Sequence, residues 1–335
     1  MARRMIFDLH CDTLDYLGWP LLPNDLRNEC AGSVGEEAEQ FPRGTLSDFT
    51  TSMGHLSLSA MASFAWCQCF AVFIPDTLSV DQSARFFDLI SQTTQAHQEA
   101  HPDLLEFTRD PHTIEGILDN GKTAGLLTLE NAKLLAASPD MVERIDRAGV
   151  RMATLTWNAA NPLASGHETH QGLTPFGRSI VAALEKRNIV VDVSHLNDEG
   201  FADILAIARR PFVASHSNSR AVCNHPRNLT DDQFRAIRDA GGICGLNFHT
   251  EFVKEDTEEP TPEDMVAHLE HWMDLGGEDV CALGSDYDGC KAPGWLKPCS
   301  RMEDLAHIIE GHFGTSLAHK ILYANAHDFF LSSVG

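Results

Sequence analysis

The sequence predicts an α/β protein, with residues 1–335 forming a single (β/α)8 TIM-barrel domain. Two short apolar runs, residues 189–193 and 211–214, each lead into a histidine and are separated by a helical pattern of about fifteen residues. Short runs rich in β-branched residues are typical of buried parallel strands. Six further runs of this kind alternate with helical patterns along the 335 residues, a length that one such barrel can occupy.

The individual elements follow from hydrophobic periodicity and from capping residues. The eight predicted strands are residues 5–9, 67–74, 123–129, 151–156, 189–193, 211–214, 242–247 and 280–285. The predicted helices include residues 80–100, 231–239, 262–275 and 301–310, and another that begins at Thr174 and Pro175. Residues 21–49 lack periodicity, so we predict an irregular excursion after the first strand. No internal repeat or low-complexity segment indicates a domain boundary.

Composition excludes several classes of partner. The formal net charge of -23 would repel the phosphates of nucleic acids and of anionic membranes. No apolar stretch approaches the roughly 20 residues that a membrane span requires, and Asp8 and His10 interrupt what would be the apolar segment of a signal peptide. The nine cysteines are an odd number, which favours a reduced chain in the cytoplasm.

Potential metal ligands follow the predicted strands at their carboxyl ends, where an α/β barrel builds its site. They are His10 and Asp12 after the first strand, Glu130 after the third, His195 after the fifth, His216 after the sixth and Asp286 after the eighth. Any one of them alone would be interpreted as a polar residue bonded to a loop. Three histidines and three carboxylates at one edge of the sheet instead favour a site that binds two divalent ions. Zinc is the preferred metal, and manganese or cobalt could substitute for it.

Several motifs together resemble those of the renal (membrane) dipeptidase family, which belongs to the amidohydrolase superfamily. They are the segments 10–13 (HCDT), 173–178 (LTPFGR), 191–195 (VDVSH), 215–218 (SHSN), 227–232 (RNLTDD) and 284–289 (GSDYDG). The resemblance extends from about residue 6 to residue 290. It implies a TIM barrel of the metal-dependent hydrolase type and a binuclear zinc dipeptidase.

The resemblance also implies roles for individual residues. Five ligands would hold two zinc ions: His10 and Asp12 at one ion, His195 and His216 at the other, and Glu130 between them. Asp286 would stand beside the attacking water, contact the substrate and act with Glu130 in catalysis. Arg227 would bind the carboxylate of a small dipeptide substrate. From its position alone, Arg227 would be interpreted as a solvent-exposed loop residue.

One departure from the family pattern bears on substrate choice. The family has a substrate-contacting histidine at the end of the fourth strand, and this sequence has Trp157 there. We expect Trp157 to line the substrate pocket, with His167 or His170 of the following loop as substitutes for the missing imidazole. The activity expected from the resemblance is hydrolysis of dipeptides with a free C-terminal carboxylate, including those with a D-residue at the second position.

Two alternatives stay open. The first is an N-acyl-amino-acid or lactam amidohydrolase on the same barrel, because specificity depends on loops such as residues 21–49 and 162–172. The second is a catalytically silent barrel that binds a metal or another ligand, and a metal analysis would distinguish it from an enzyme. The sequence is also compatible with a homodimer.

Overall fold

A computed structural model describes residues 3–30, 32 and 43–334. Its strands are β1 Arg4–Cys11, β2 Phe64–Phe73, β3 Leu105–Phe107, β4 Thr123–Glu130, β5 Val150–Thr154, β6 Val190–Asp192, β7 Cys244–Leu246 and β8 Cys281–Leu283. Its helices are α1 Thr13–Gly18, α2 Asn24–Glu29, α3 Leu58–Met61, α4 Val80–Ser91, α5 Thr93–Ala100, α6 Ile114–Asp119, α7 Met141–Ala148, α8 Pro175–Lys186, α9 Asp198–Ile207, α10 Asp231–Asp239, α11 Thr250–Val253, α12 Pro262–Asp274, α13 Met302–His319 and α14 Asn325–Val334. Among the described residues, no helix is long and apolar enough to cross a membrane.

The strands form a parallel sheet that curls into a ring. The sheet order is β6-β5-β4-β2-β1-β8-β7, and β3 adds a short pairing at the beginning of β4. Between β6 and β7, two isolated parallel bridges, Asp192 with Val213 and Ala214 with Cys244, fill the remaining position. The eight positions of a (β/α)8 barrel are therefore present, which confirms the predicted fold class.

The sixth predicted strand, residues 211–214, is reduced to those two bridges. Pro211 has no backbone N–H to donate, so it cannot extend the ladder at the beginning of this segment. Polar contacts replace the ladder at its end, where the backbone amide of Ser215 donates to Asp192 Oδ1 at 2.9 Å. His216 is therefore positioned by side chains rather than by a regular strand.

Two predicted segments differ from the structure for local reasons. The predicted helix over residues 80–100 is divided into α4 and α5, and at the junction the Thr93 hydroxyl donates to the Ile90 carbonyl at 2.6 Å. The predicted irregular excursion over residues 21–49 contains α2, which buries only Leu26 and is too short to show an apolar period. Residues 31 and 33–42 of that excursion lie outside the described residues.

The interior of the ring is a packed apolar core. One cluster takes at least one buried residue from every position of the ring: Phe7, Leu9, Ala65, Cys67, Cys69, Ala124, Leu126, Met152, Val190, Val213, Ile243 and Ala282. At the amino end of the strands this cluster continues into α14, where Phe330 stacks on Phe7 with ring centroids 5.4 Å apart. Because α14 closes that end, ligands enter from the carboxyl ends of the strands.

A bulge at the end of β1 aims its histidine into the ring. Asp8 pairs with Gln68 and Cys11 pairs with Phe70, so β1 has one residue more than β2 between these pairs. An extra residue reverses the alternation of side chains. The side chain of His10 therefore faces the ring interior, as that of Phe7 does, and reaches the other predicted ligands.

Candidate metal centre and active site

The structure brings the five predicted metal ligands and Asp286 together at the carboxyl ends of the strands. His10, Asp12, Glu130, His195, His216 and Asp286 are all buried, with exposed fractions of 9% or less. Asp12 lies just beyond β1, at the beginning of α1, with φ -103 and ψ 19. The His10 and Asp12 side chains meet because the bulge turns His10 inward and the chain bends at Asp12, rather than because both lie on one extended strand.

Glu130 is central to this group, because each of its carboxylate oxygens faces a different histidine nitrogen. Oε2 lies 3.2 Å from His10 Nε2, while Oε1 lies 2.8 Å from His195 Nε2 and 3.8 Å from His216 Nε2. Ligand atoms at about 2.0–2.2 Å from a tetrahedral zinc are separated from one another by about 3.3–3.6 Å. The observed separations bracket that range, and the ligand atoms of His10, Glu130 and His216 are close enough together to hold a metal ion.

Outer hydrogen bonds fix the tautomers of two histidines. Nδ1 of His195 lies 3.0 Å from Asn158 Oδ1, which can only accept a proton. Nδ1 of His216 lies 2.6 Å from the Ser215 hydroxyl, which itself donates to Asp192 Oδ2 at 2.5 Å. Both rings therefore carry their proton on Nδ1 and present a lone pair at Nε2.

The two Nε2 atoms of His195 and His216 are 3.0 Å apart. Burial lowers the pKa of both imidazoles well below the ordinary value, so both rings are neutral near pH 7. Two facing lone pairs repel each other unless a cation lies between them. This pair of rings, with its supporting carboxylate and hydroxyl, is the arrangement that proteins use to orient metal-binding histidines.

The other side of Glu130 is acidic and incompletely bonded. His10 Nε2 lies 3.6 Å from Asp12 Oδ1 and 3.8 Å from Asp286 Oδ1, and neither His10 Nε2 nor Asp12 Oδ1 has a hydrogen-bond partner among the described residues. Burial lowers the pKa of His10, but the carboxylates of Glu130 and Asp12 outweigh that effect and raise it well above its usual range. This side of the site therefore favours a positive charge, which a metal ion would supply.

Burial also raises the pKa values of Glu130 and Asp286. Asp286 is held at its backbone and its side chain, because its N–H donates to the His10 carbonyl at 3.1 Å and its Oδ2 accepts from Asn247 Nδ2 at 3.0 Å. Asp286 and His195 have positive φ angles of 61° and 68°, which side-chain-bearing residues rarely adopt. Such backbone conformations are unfavourable by themselves and persist where surrounding contacts hold the residue in place, as they do here.

The backbone at residue 289 passes so close to the acidic side chains of this centre that only glycine fits there. A Cβ atom at Gly289 would lie 1.9 Å from Asp12 Oδ2 and 2.7 Å from Asp286 Oδ1. The glycine of the 284–289 motif therefore makes room for two acidic side chains.

The centre opens into a cavity of about 330 Å³. Trp157 lines it, and its ring contacts Phe73 edge-on with centroids 5.0 Å apart. His167 also lines the cavity, and its ring centroid lies 6.2 Å from that of His195. His170 is exposed and is not part of the lining. Of the two loop histidines, only His167 is placed to replace the missing imidazole.

Arg227 is buried rather than exposed on its loop. Its exposed fraction is 4%, its Nη2 donates to the His216 carbonyl at 3.2 Å, and its Nε lacks a partner among the described residues. The guanidinium carbon lies 5.3 Å from the centre of the Phe252 ring. Burial lowers its pKa, an effect that Asp286 and Glu130 oppose. The interpretation from loop position alone is therefore wrong, because Arg227 packs against Phe252 and bonds to the backbone of His216 instead of facing solvent.

Sequence reasoning missed several residues that complete the site. Those that support or line it are Asp15, Asn158, Asp192, Ser215, Asn247 and Phe252. Asp192 and Ser215 belong to motifs that already contain His195 and His216, so motif position could have indicated them. Asp15 and Phe252 carry no such signal, because their role depends on where α1 and α11 meet the cavity.

Comparisons with known proteins agree with this geometry. A family model described as membrane dipeptidase (peptidase family M19) matches residues 1–327. A metallopeptidase from Rhodobacter sphaeroides, solved with a phosphinate mimic of the dipeptide L-Ala-D-Ala, is 26% identical with a TM-score of 0.85, covering 99% of this chain and 100% of that chain. A structure described as dipeptidase AC of family M19 is 28% identical with a TM-score of 0.85, covering 99% of both chains.

A similarity at the sequence level points the same way. A dipeptidase from Clonostachys rogersoniana is 32% identical over 195 residues, which are 57% of this chain and 50% of that protein. The family match extends over nearly the whole chain and includes every predicted ligand. The chain therefore belongs to the membrane dipeptidase family, peptidase family M19, and is a metal-dependent dipeptidase.

Proposed function

We propose that this protein is a binuclear zinc enzyme that hydrolyses the peptide bond of dipeptides with a free C-terminal carboxylate. The observation that carries the proposal is the position of Glu130, with Oε2 3.2 Å from His10 Nε2 and Oε1 2.8 Å from His195 Nε2. A carboxylate that offers one oxygen to each of two separate nitrogen donors suits a bridge between two ions. His10 and Asp12 would hold one ion, and His195 and His216 the other.

The metal pair, when bound, would polarise the scissile carbonyl and lower the pKa of water toward neutrality. The side chain of Asp286 lies at the edge of this centre, with Oδ1 3.8 Å from His10 Nε2. Asp286 would accept the proton of the attacking water on Oδ1 and transfer it to the leaving amine. The bond from Asn247 to Oδ2 leaves Oδ1 free for that exchange.

Arg227 would bind the carboxylate at the end of the substrate. Its guanidinium has five N–H donors, and the described contacts occupy Nη1 and Nη2 while leaving Nε without a partner. Asp286 and Arg227 lie close enough for the carboxylate of Asp286 to raise the arginine pKa. The terminal carboxylate and the scissile bond of a short substrate would therefore lie at adjacent positions.

The cavity favours a small substrate. Its volume of about 330 Å³ is at the low end of ligand sites, which range over about 300–1,000 Å³. The similar Rhodobacter sphaeroides enzyme was solved with a mimic of L-Ala-D-Ala. We extend this to a D-residue at the second position of the substrate.

Trp157 supports one alternative, an N-acyl-amino-acid or lactam amidohydrolase. The indole presents an apolar surface next to Phe73 where the family has a polar ring, and an apolar acyl group would suit that surface. Cleavage of N-acyl amino acids or lactams in preference to dipeptides would establish this alternative.

The test combines metal analysis with a substrate screen. The purified protein should contain about two zinc ions per chain and should cleave members of a dipeptide library that includes D-residues at the second position. His195→Ala should lose about one ion and most activity. His112→Ala, at an exposed histidine in the turn Pro111–Thr113, should retain both.

A protein that binds no metal and cleaves nothing would be the silent barrel considered above. Full activity in metal-free protein would contradict the binuclear proposal. A cytoplasmic location and a homodimeric state stay predictions of the sequence.

A further inference from the structure

Asp15 is a buried carboxyl group that the metal centre does not use. It lies in the first turn of α1, where its backbone N–H donates to the Asp12 carbonyl at 3.0 Å. Its exposed fraction is 1%, yet it lines the cavity together with Asp12, Glu130 and Trp157. Neither carboxylate oxygen has a hydrogen-bond partner among the described residues. The side chain is therefore directed into the cavity without a partner of its own.

The surroundings of Asp15 are mainly acidic. Burial raises its pKa well above the usual range, the neighbouring carboxylates of Asp12 and Glu130 raise it further, and His10 opposes this effect. The backbone amide of Phe73 opposes this effect but does not meet the geometry of a hydrogen bond. A buried carboxyl without a donor is costly, and a cation brought into the cavity would relieve that cost.

Asp15 also lies across the ring from Arg227. Asp15 is close to Phe73 at the end of β2, the second position of the ring, whereas Arg227 follows His216, which ends the sixth position. The second and sixth of eight positions are opposite each other. Two extended residues span about 7 Å, so a dipeptide held by its carboxylate at Arg227, which bonds to the His216 carbonyl, would extend its N-terminal residue toward the opposite side of the ring, where Asp15 lies.

We propose that Asp15 determines specificity by pairing with a cationic nitrogen on the N-terminal residue of the substrate. The nitrogen is either the α-ammonium group or a side-chain ammonium or guanidinium, since the two share the same chemistry. This inference rests on the proposed dipeptidase function and on the orientation that Arg227 imposes. It assigns Asp15 to substrate recognition rather than to metal binding or proton transfer.

The test uses three substrates with the same C-terminal alanine. Lysyl-alanine carries both cations, norleucyl-alanine carries only the α-ammonium group, and hexanoyl-alanine carries neither. Values of kcat/KM are measured for the zinc-loaded wild type, for Asp15→Asn and for Asp81→Asn, with zinc content determined for each. Asp81 is the matched control, because it is an exposed aspartate in the first turn of α4, outside the lining of the cavity.

Asp15→Asn should lower kcat/KM by about 10- to 100-fold for substrates that carry the recognised cation, the loss typical of one charge-assisted hydrogen bond. A loss for lysyl-alanine alone identifies the side-chain cation. Equal losses for lysyl- and norleucyl-alanine, with hexanoyl-alanine unchanged, identify the α-ammonium group. Asp81→Asn should change none of the three. Equal changes in all three substrates, or no change, would refute the inference.

Two further results keep the inference separate from the proposed function. If Asp15→Asn loses zinc or does not fold, the inference is tested with the wild type alone. Equal kcat/KM values of the wild type for the three substrates would refute recognition of a cation. If the wild type cleaves none of the three and no member of the dipeptide library, the proposed dipeptidase function fails. Asp15 is then judged by calorimetric binding of the same three compounds, with tighter binding of the cationic ones expected.

Discussion

Removal of the Arg227 guanidinium provides the sharpest test of the substrate orientation. In Arg227→Met the apolar stem stays next to Phe252, while the charge and all five N–H donors are lost. Among the described residues, the Arg227 guanidinium is bonded only through Nη2 to the His216 carbonyl at 3.2 Å and through a long 3.5 Å contact from Nη1 to the Ser217 hydroxyl. Most of the lost hydrogen bonding would therefore be bonding to the substrate.

The magnitude follows from the burial of Arg227. Deleting one side of a buried, hydrogen-bonded ion pair costs about 2–5 kcal/mol, or roughly 30- to 5,000-fold in kcat/KM. Arg227 is 4% exposed, so solvent screening does not reduce this range as it would for a surface pair. We therefore expect the wild type to prefer a free dipeptide over its C-terminal amide by this factor, and Arg227→Met to abolish the preference.

The assay is the ratio of kcat/KM for a dipeptide and its amide, in the wild type and in Arg227→Met. The control is Arg220→Met, because Arg220 is in the same loop but pairs with Asp198 at 2.8 Å near the surface. Arg220→Met should keep the wild-type ratio. A ratio near one in the wild type would show that Arg227 does not recognise the carboxylate and would favour the amidohydrolase alternative.

Three other substitutions test the remaining parts of the structure. Glu130→Gln should weaken metal binding by more than the roughly 10- to 100-fold that is typical of groups that only support ligands. The reason is that an amide cannot bridge two cations. If the variant bound two ions with the affinity of the wild type, Glu130 would not be a bridge. Asp286→Asn should retain the metals but lower kcat by about 10²- to 10⁴-fold, which is the range of general acid-base catalysis. Unchanged turnover with an unchanged pH profile would show that Asp286 does not act as the general acid-base group. His97→Leu should stabilise the protein in acid, because burial lowers the pKa of His97 to about 4 and both ring nitrogens lack partners among the described residues. Because His97 has a pKa of about 6.5 in the unfolded chain, protonation favours the unfolded state and lowers the free energy of unfolding of the wild type by about 2 kcal/mol between pH 8 and pH 5. Urea unfolding should therefore show that the stability advantage of His97→Leu over the wild type grows as the pH falls. Parallel pH profiles of the two proteins would refute this prediction.

Much of the barrel was predictable because its signal is local. Each strand is a short apolar run, and buried parallel strands require apolar residues on both faces. The structure confirms the fold class and places strands at seven of the eight predicted positions. The sixth position was harder to define, because Pro211 and the polar contacts of Ser215 replace part of its ladder.

The sequence by itself determined which residues could form the metal centre. Parallel strands bring their carboxyl ends to one edge, so the repetition of residues such as His10, Glu130 and His216 at strand ends predicted that they lie close together. Motif spacing likewise indicated the family, and the family match over residues 1–327 confirms it.

Only the tertiary structure decided how these groups are oriented and what surrounds them. The bulge in β1 turns His10 inward, and the bonds from Asn158 and Ser215 leave the lone pairs of His195 and His216 facing each other. The burial of Arg227, and the lack of a partner for the Asp15 carboxyl among the described residues, depend on how separate segments of the chain pack together. Sequence periodicity reports which side of a strand or helix is buried, but not which distant polar atoms meet there, and those contacts determine tautomer, charge and specificity.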